Sequence, residues 1–279
     1  MNLKFVVNDY VLIWNLLFQA SISENIHKLK QKIWFNYKDE YNRTFRDNVK
    51  ILKDYKNFIA DDDTVYNIVL ENKGYELLKK KTDKYRIKLL EIWDEYKKDS
   101  VKELKKILRF DIKMYHVLVV PEKLDIVDSQ TIDDARVNII VWGKKLDNAK
   151  PINSIISLVF EIVKKELRTF RPKYKDIVDA IVELAILNEF STRVTGVTHY
   201  LSGDNTLKYL KRQIYPYWLM YLGVEKKDMI KYMTRDKIAF DEDKYTYEKE
   251  LRKIDLFDFI DFCIRNQKTI VKIDELEIL

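Results

Sequence analysis

Apolar residues recur at intervals of three and four along most of this 279-residue chain, a spacing that predicts helices rather than strands. The clearest case runs from Tyr75 to Leu108, where Leu78, Tyr85, Leu89, Trp93, Leu104 and Leu108 fall on one face with charges between them. Ser23-Glu24 is expected to cap a helix reaching about Tyr37, and a charged, aromatic-punctuated helix is expected from Glu40 to Ile59. Asp61-Asp-Asp-Thr64 breaks the pattern, with Asp63 or Thr64 placed to cap the helix that follows.

Strands are expected in three places. Lys4-Phe-Val-Val7 reads as a short one. Met114 to Pro121 and Arg136 to Trp142 are rich in β-branched and aromatic residues, are bounded by Pro121 and Gly143, and read as two strands of a small sheet. A polar loop to Pro151 leads into two apolar helices, Ser154–Leu167 and Ile177–Phe190. Pro172 separates them and Gly196 closes the second. The aromatic-rich stretch Gln213–Gly223 and a helix from Asp255 to Arg265 complete the chain's organisation. The fold class expected is α+β and helix-rich. A helical N-terminal region covers 1–110, and an α+β region covers 111–279, with a small sheet and a helical core. No linker separates the two.

Composition narrows this picture. Only 5 Gly and 4 Pro interrupt the chain, which leaves little room for a many-turned β fold. The hydrophobic share of 47% and charged share of 34% describe a globular protein with a heavily solvated surface. The net charge of +6 is a balance of 51 basic and 45 acidic residues and does not itself point to nucleic acid. Tyr10–Phe18 is apolar but is interrupted by Asn15 and too short to span a bilayer, so a cytoplasmic protein without membrane association is expected. The single cysteine, Cys263, excludes an intramolecular disulfide and a cysteine-based zinc site, and its apolar surroundings make it a buried structural thiol.

Three carboxylates stand out. Glu161, Glu183 and Glu189 lie inside the two apolar helices, where a charge costs several kcal/mol unless it is paired, hydrogen-bonded or protonated. The order strand, strand, loop, helix with Glu161, helix with Asn188-Glu189 resembles a gluzincin metallopeptidase domain over roughly Met114 to Gly196. In that family a His-Glu-x-x-His helix supplies two zinc ligands and a general base, because residues at i and i+4 share a helix face. A later helix supplies a third ligand. Here Phe160-Glu161-Ile162-Val163-Lys164 occupies the first motif. The resemblance therefore matches Glu161 to the general base and Glu189 to the third ligand, while Phe160 and Lys164 replace both imidazoles. Phenylalanine cannot ligate a metal and an ammonium repels one. The resemblance thus implies a peptidase-like fold without zinc, and no metal or cofactor is expected. The function expected is non-catalytic binding of a protein or peptide partner in a vestigial cleft lined by Glu161, Lys164, Glu183 and Glu189.

Ordinary helix-face pairing competes with that reading. Glu161 is i,i+3 to Lys164 and i,i+4 to Lys165, and Glu189 is i,i+4 to Arg193. Glu183 has Leu187 at i+4 and needs a tertiary basic partner or solvent. A second functional reading rests on Arg193-Val-Thr-Gly-Val-Thr-His199, whose Arg and His spacing resembles that of HEPN-type ribonucleases. It would make the chain a nucleic-acid hydrolase, metal-independent or metal-assisted, with Arg193 on the phosphate and His199 moving a proton. Gly196 inside that motif argues against a continuous helix. The remaining candidates read as structure: His27 and His116 as isolated surface or core histidines, Tyr215 to Tyr221 as core aromatics, and Lys79-Lys80-Lys81 as a solvated helix face.

Overall fold

A computed structural model describes residues 1–18, 24–121, 127–128, 137–170, 174–198, 201–236, 238 and 246–270. Its elements run β1 (Asn2–Val6), α1 (Asp9–Phe18), α2 (Glu24–Asn36), α3 (Lys38–Phe45), α4 (Asn48–Lys53), α5 (Thr64–Leu70) and α6 (Lys73–Leu108). Then come β2 (Met114–Val119), β3 (Val127–Asp128), β4 (Asn138–Trp142), α7 (Ile152–Glu166) and α8 (Lys175–Val182). A π-helix (Glu183–Phe190) continues α8 into α9 (Ser191–Thr195). The chain then forms α10 (Lys208–Tyr221), α11 (Lys226–Arg235), α12 (Leu256–Arg265) and α13 (Gln267–Ile270). Contacts divide it into two units, Met1–Tyr96 with Ile112–Leu158, and Lys97–Asp111 with Val159–Leu279.

The first unit holds the sheet, in the order β1-β2-β4-β3. β1, β2 and β4 are parallel and the two-residue β3 is antiparallel at the edge. This corrects the expected architecture. The fold is a helix-rich α/β arrangement whose sheet is N-terminal and central, not a feature of the C-terminal half. The reason is the partner of β1: Asn2 pairs with Met114 across more than a hundred residues, a pairing that no local pattern reveals. β2 is buried from Tyr115 to Val119, as a central strand covered on both faces must be, whereas β1 alternates exposed Lys4 with buried Leu3 and Phe5. Leu12, Leu16, Ile33, Phe45 and Val69 pack with Leu118 and Val141 into this unit's core.

Local chemistry explains most boundaries. The expected helix from Glu40 to Ile59 is two helices, because Asp47 leaves the helical region and its carboxylate accepts from the Val49 N–H at 3.1 Å, starting α4 afresh. At the next break Asp62, not Asp63, accepts from Thr64 N–H at 2.9 Å, while Asp63 accepts from the Tyr10 hydroxyl at 2.9 Å. Ser23, Arg136 and Pro172 lie outside the described residues. Gly196 ends α9 in the left-handed conformation, φ 69°. No helix among the described residues is long and apolar enough to cross a membrane.

The second unit is helical. Trp218 and Tyr221 of α10 stack on each other at 5.0 Å and meet Phe259 of α12 at 5.7 and 4.9 Å. The Tyr221 hydroxyl donates to the Ile107 carbonyl at 2.5 Å. The aromatic stretch is therefore core, with its hydroxyls bonded inside. Cys263 is buried on α12, and burial pushes its thiol pKa up.

Candidate functional site

The site is built on one long helical run. α8 passes into the π-helix at Glu183 without a break, and the side-chain Nδ2 of Asn188 donates to the Glu183 carbonyl at 3.0 Å. Glu183 and Asn188 then both face the loop at 201–204. Asn188 accepts from the Ser202 N–H at 2.8 Å, and the Glu183 carboxylate accepts from the Asp204 N–H at 3.0 and 3.2 Å.

Glu183 has the tertiary partner its burial demands. Lys211, from the first half of α10, is fully buried, and its ammonium donates to Glu183 at 2.5 Å. The same ammonium donates to the Ser202 carbonyl at 2.9 Å, with the Leu201 and Asp204 carbonyls at 3.5 and 3.4 Å. Both charges are thus satisfied away from water. Gly203 makes the approach workable: its φ is +107°, and a Cβ there would sit 2.3 Å from a Glu183 carboxylate oxygen.

The other candidates separate. Glu189 binds Arg193 at 2.6 Å as the i,i+4 spacing predicts, and Arg193 also reaches Glu103 at 3.2 Å. Lys106 first and Arg193 second hold the Glu103 carboxyl below its usual range. Lys164 turns to Asp179 at 3.6 Å, with its ammonium 5.7 Å from the centre of the Phe160 ring. Asp179 also takes Lys175 at 2.5 Å. Glu161 is half-buried and forms no ion pair with Lys164 or Lys165. Thus Glu161, Lys164, Glu183 and Glu189 make no hydrogen bond or ion pair with one another; Lys164, Glu183 and Glu189 pair instead with Asp179, Lys211 and Arg193. His199 lies outside the described residues. Among those described, no group of three His, Cys, Asp or Glu side chains is spaced to hold a metal ion.

Glu189 and Arg193 do line a cavity. A space of about 240 Å³ opens beside the π-helix, with Leu184, Leu201, Trp218 and Leu219 as apolar walls and Arg193 and Arg235 as charged ones. Asn188 lines it too. Asp236, 2% exposed, accepts from Arg235 at 2.6 and 2.8 Å and from the Tyr215 hydroxyl. Burial and the Asp236 bond push the Tyr215 phenol up, and the same carboxylate raises the Arg235 guanidinium. Arg235 also lies 4.9 Å from the Tyr232 ring.

Lys211, Asp236 and Glu103 were invisible as site residues in the sequence. The one usable signal was the missing i+4 cation of Glu183, which demands a partner without naming it. Comparison with known proteins adds no relative: no family model, no curated protein and no solved structure matches this chain.

Proposed function

We infer that the chain is a non-catalytic binding module whose helical second unit takes a protein or peptide partner in the cavity beside the π-helix. The observation that carries this reading is the cavity itself. At about 240 Å³ it falls below the roughly 300–1,000 Å³ of pockets that enclose a whole small-molecule ligand. It suits a single apolar side chain anchored between Leu184, Trp218 and Leu219, with the polar backbone around it meeting Arg193 and Arg235 at the edge.

The state of the carboxylates supports binding over hydrolysis. Glu183 and Glu189 are held by Lys211 and Arg193, and Asp179 by Lys175. The resemblance to a gluzincin domain points the same way, since Phe160 and Lys164 occupy the places of both imidazoles. The ribonuclease alternative gains no support from Arg193, whose guanidinium already bridges two carboxylates.

Panning the protein against a random peptide library tests this. Peptides sharing one large apolar residue are expected, and Val224→Trp, which fills the cavity from its lining, should abolish their binding while leaving the circular-dichroism spectrum unchanged. Equal binding by Val224→Trp overturns the reading. So does peptide cleavage that disappears in Glu161→Gln.

A further inference from the structure

The first unit carries a second cavity, open and about 570 Å³, between α2 and the α5–α6 junction. Among the described residues three lysines line it, Lys28 and Lys32 from α2 and Lys73 from α6, against one carboxylate, Glu71. Lys28 and Lys32 are four residues apart, so they project from one face of α2. The side-chain amides of Asn25 and Asn72 add neutral polar groups to the same lining.

The charges are available. Lys32 and Lys73 form no ion pair among the described residues. Lys28 pairs with Glu24 at 2.7 Å, but both side chains are more than two-thirds exposed, and so open a pair exchanges readily for another anion. The start of α6 is not what makes the site. The Gly74 N–H already donates to the Asn72 side chain at 2.9 Å, and the Tyr75 and Glu76 N–H groups to the Asn72 carbonyl. The lysines and the space they enclose are.

We propose that this groove binds a multiply charged phosphate, held by Lys28, Lys32 and Lys73. The volume lies within the range of pockets that hold small ligands, in contrast to the cavity of the other unit. Flexible ammonium groups suit it, since they act as point charges that follow a phosphate chain without demanding the planar fork geometry of arginine. An apolar ligand would find few partners, Leu29 and Ile68 being the only aliphatic residues in the lining among the described residues. The reading is independent of the peptide-binding proposal and stands or falls separately.

The phosphate can come from a soluble oligophosphate or a lipid headgroup, and two arms separate the sources. The first is calorimetric titration of the full chain with inorganic tripolyphosphate. The second is sedimentation with vesicles of neutral lipid containing a phosphoinositide bisphosphate. Each is repeated with Lys32→Glu/Lys73→Glu and with a control of equal charge change, Lys84→Glu/Lys88→Glu, at exposed positions of α6 outside the groove. The expected result is binding in at least one arm, weakened about tenfold or more by the groove variant and little changed by the control. Tripolyphosphate binding assigns the site to a soluble ligand, and vesicle binding alone assigns it to a headgroup. No binding in either arm, or equal loss in both variants, overturns the proposal.

Discussion

The Lys211 ammonium lies 2.5 Å from the Glu183 carboxylate with both side chains withdrawn from solvent. A pair in that position is asymmetric in what its removal does. Lys211→Met leaves a buried carboxylate with, among the described residues, only the Asp204 N–H as partner and is expected to destabilise the protein by about 3–5 kcal/mol. Replacing both partners, as Glu183→Leu with Lys211→Met, should recover much of that loss, because no uncompensated charge remains. Urea unfolding of the two single variants and the double variant measures the difference. Additive losses would mean that the two groups do not depend on each other.

Gly203→Ala should be far worse than the same change at two other left-handed glycines. At Gly203 the new methyl would meet a carboxylate that Lys211 and Asp204 hold in place, and a loss of at least about 2 kcal/mol is expected. Gly196 and Gly223 also have positive φ, yet nothing lies within 4 Å of their missing Cβ atoms. There only the backbone conformation resists, at about 1 kcal/mol each. Thermal melts of the three variants rank them.

His116 on β2 is 1% exposed, and its Nδ1 lies 2.7 Å from the Tyr55 hydroxyl. Burial, followed by Lys56 and Lys4, holds its pKa below the ordinary 6.5. The unfolded chain therefore takes up a proton before the folded one does. Stability from this residue is complete above pH 6.5 and declines as pH falls from there toward the lower folded value, by at most about 1.4 kcal/mol per pH unit. Hydrogen exchange of the β2 amides between pH 7.5 and 5 should show the decline, and His116→Phe should flatten it. An unchanged slope in that variant removes His116 as the cause.

The Cys263 thiol is buried, and that burial raises its pKa and disfavours the thiolate that would react. Iodoacetamide should leave the folded protein unmodified for hours and label it completely in denaturant. If labelling follows the same urea midpoint as circular dichroism, the thiol reports cooperative unfolding of its unit. Rapid labelling without denaturant would mean that α12 opens locally.

Helices were legible in this sequence wherever their period was long, and α6 and α12 lie close to where the apolar spacing puts them. So were β2 and β4, from their β-branched runs. The parallel pairing of β1 was not, because one strand's five residues carry no mark of a partner more than a hundred positions away. The candidate site divides similarly. The Glu189–Arg193 pair was written in local spacing, and the need of Glu183 for a distant cation could be argued from what stood at Leu187. That the cation is Lys211 depends on how α10 packs on α8. Neither the π-helix nor Asp236 leaves a trace in residue type.

The π-helix also sets a phase. Each residue of an α-helix advances the chain by about 100° around the axis, and a widened turn absorbs one residue beyond that rhythm. Arg193 faces Glu103 only because the extra residue has been absorbed before it. The same residues run on as plain α-helix would rotate Arg193 away by roughly a quarter turn or more, whereas a chain one residue shorter between Glu183 and Phe190 would close the wide turn and keep its phase. In this stretch the width of the turn, as much as the identity of the residues, decides which side chains meet the cavity.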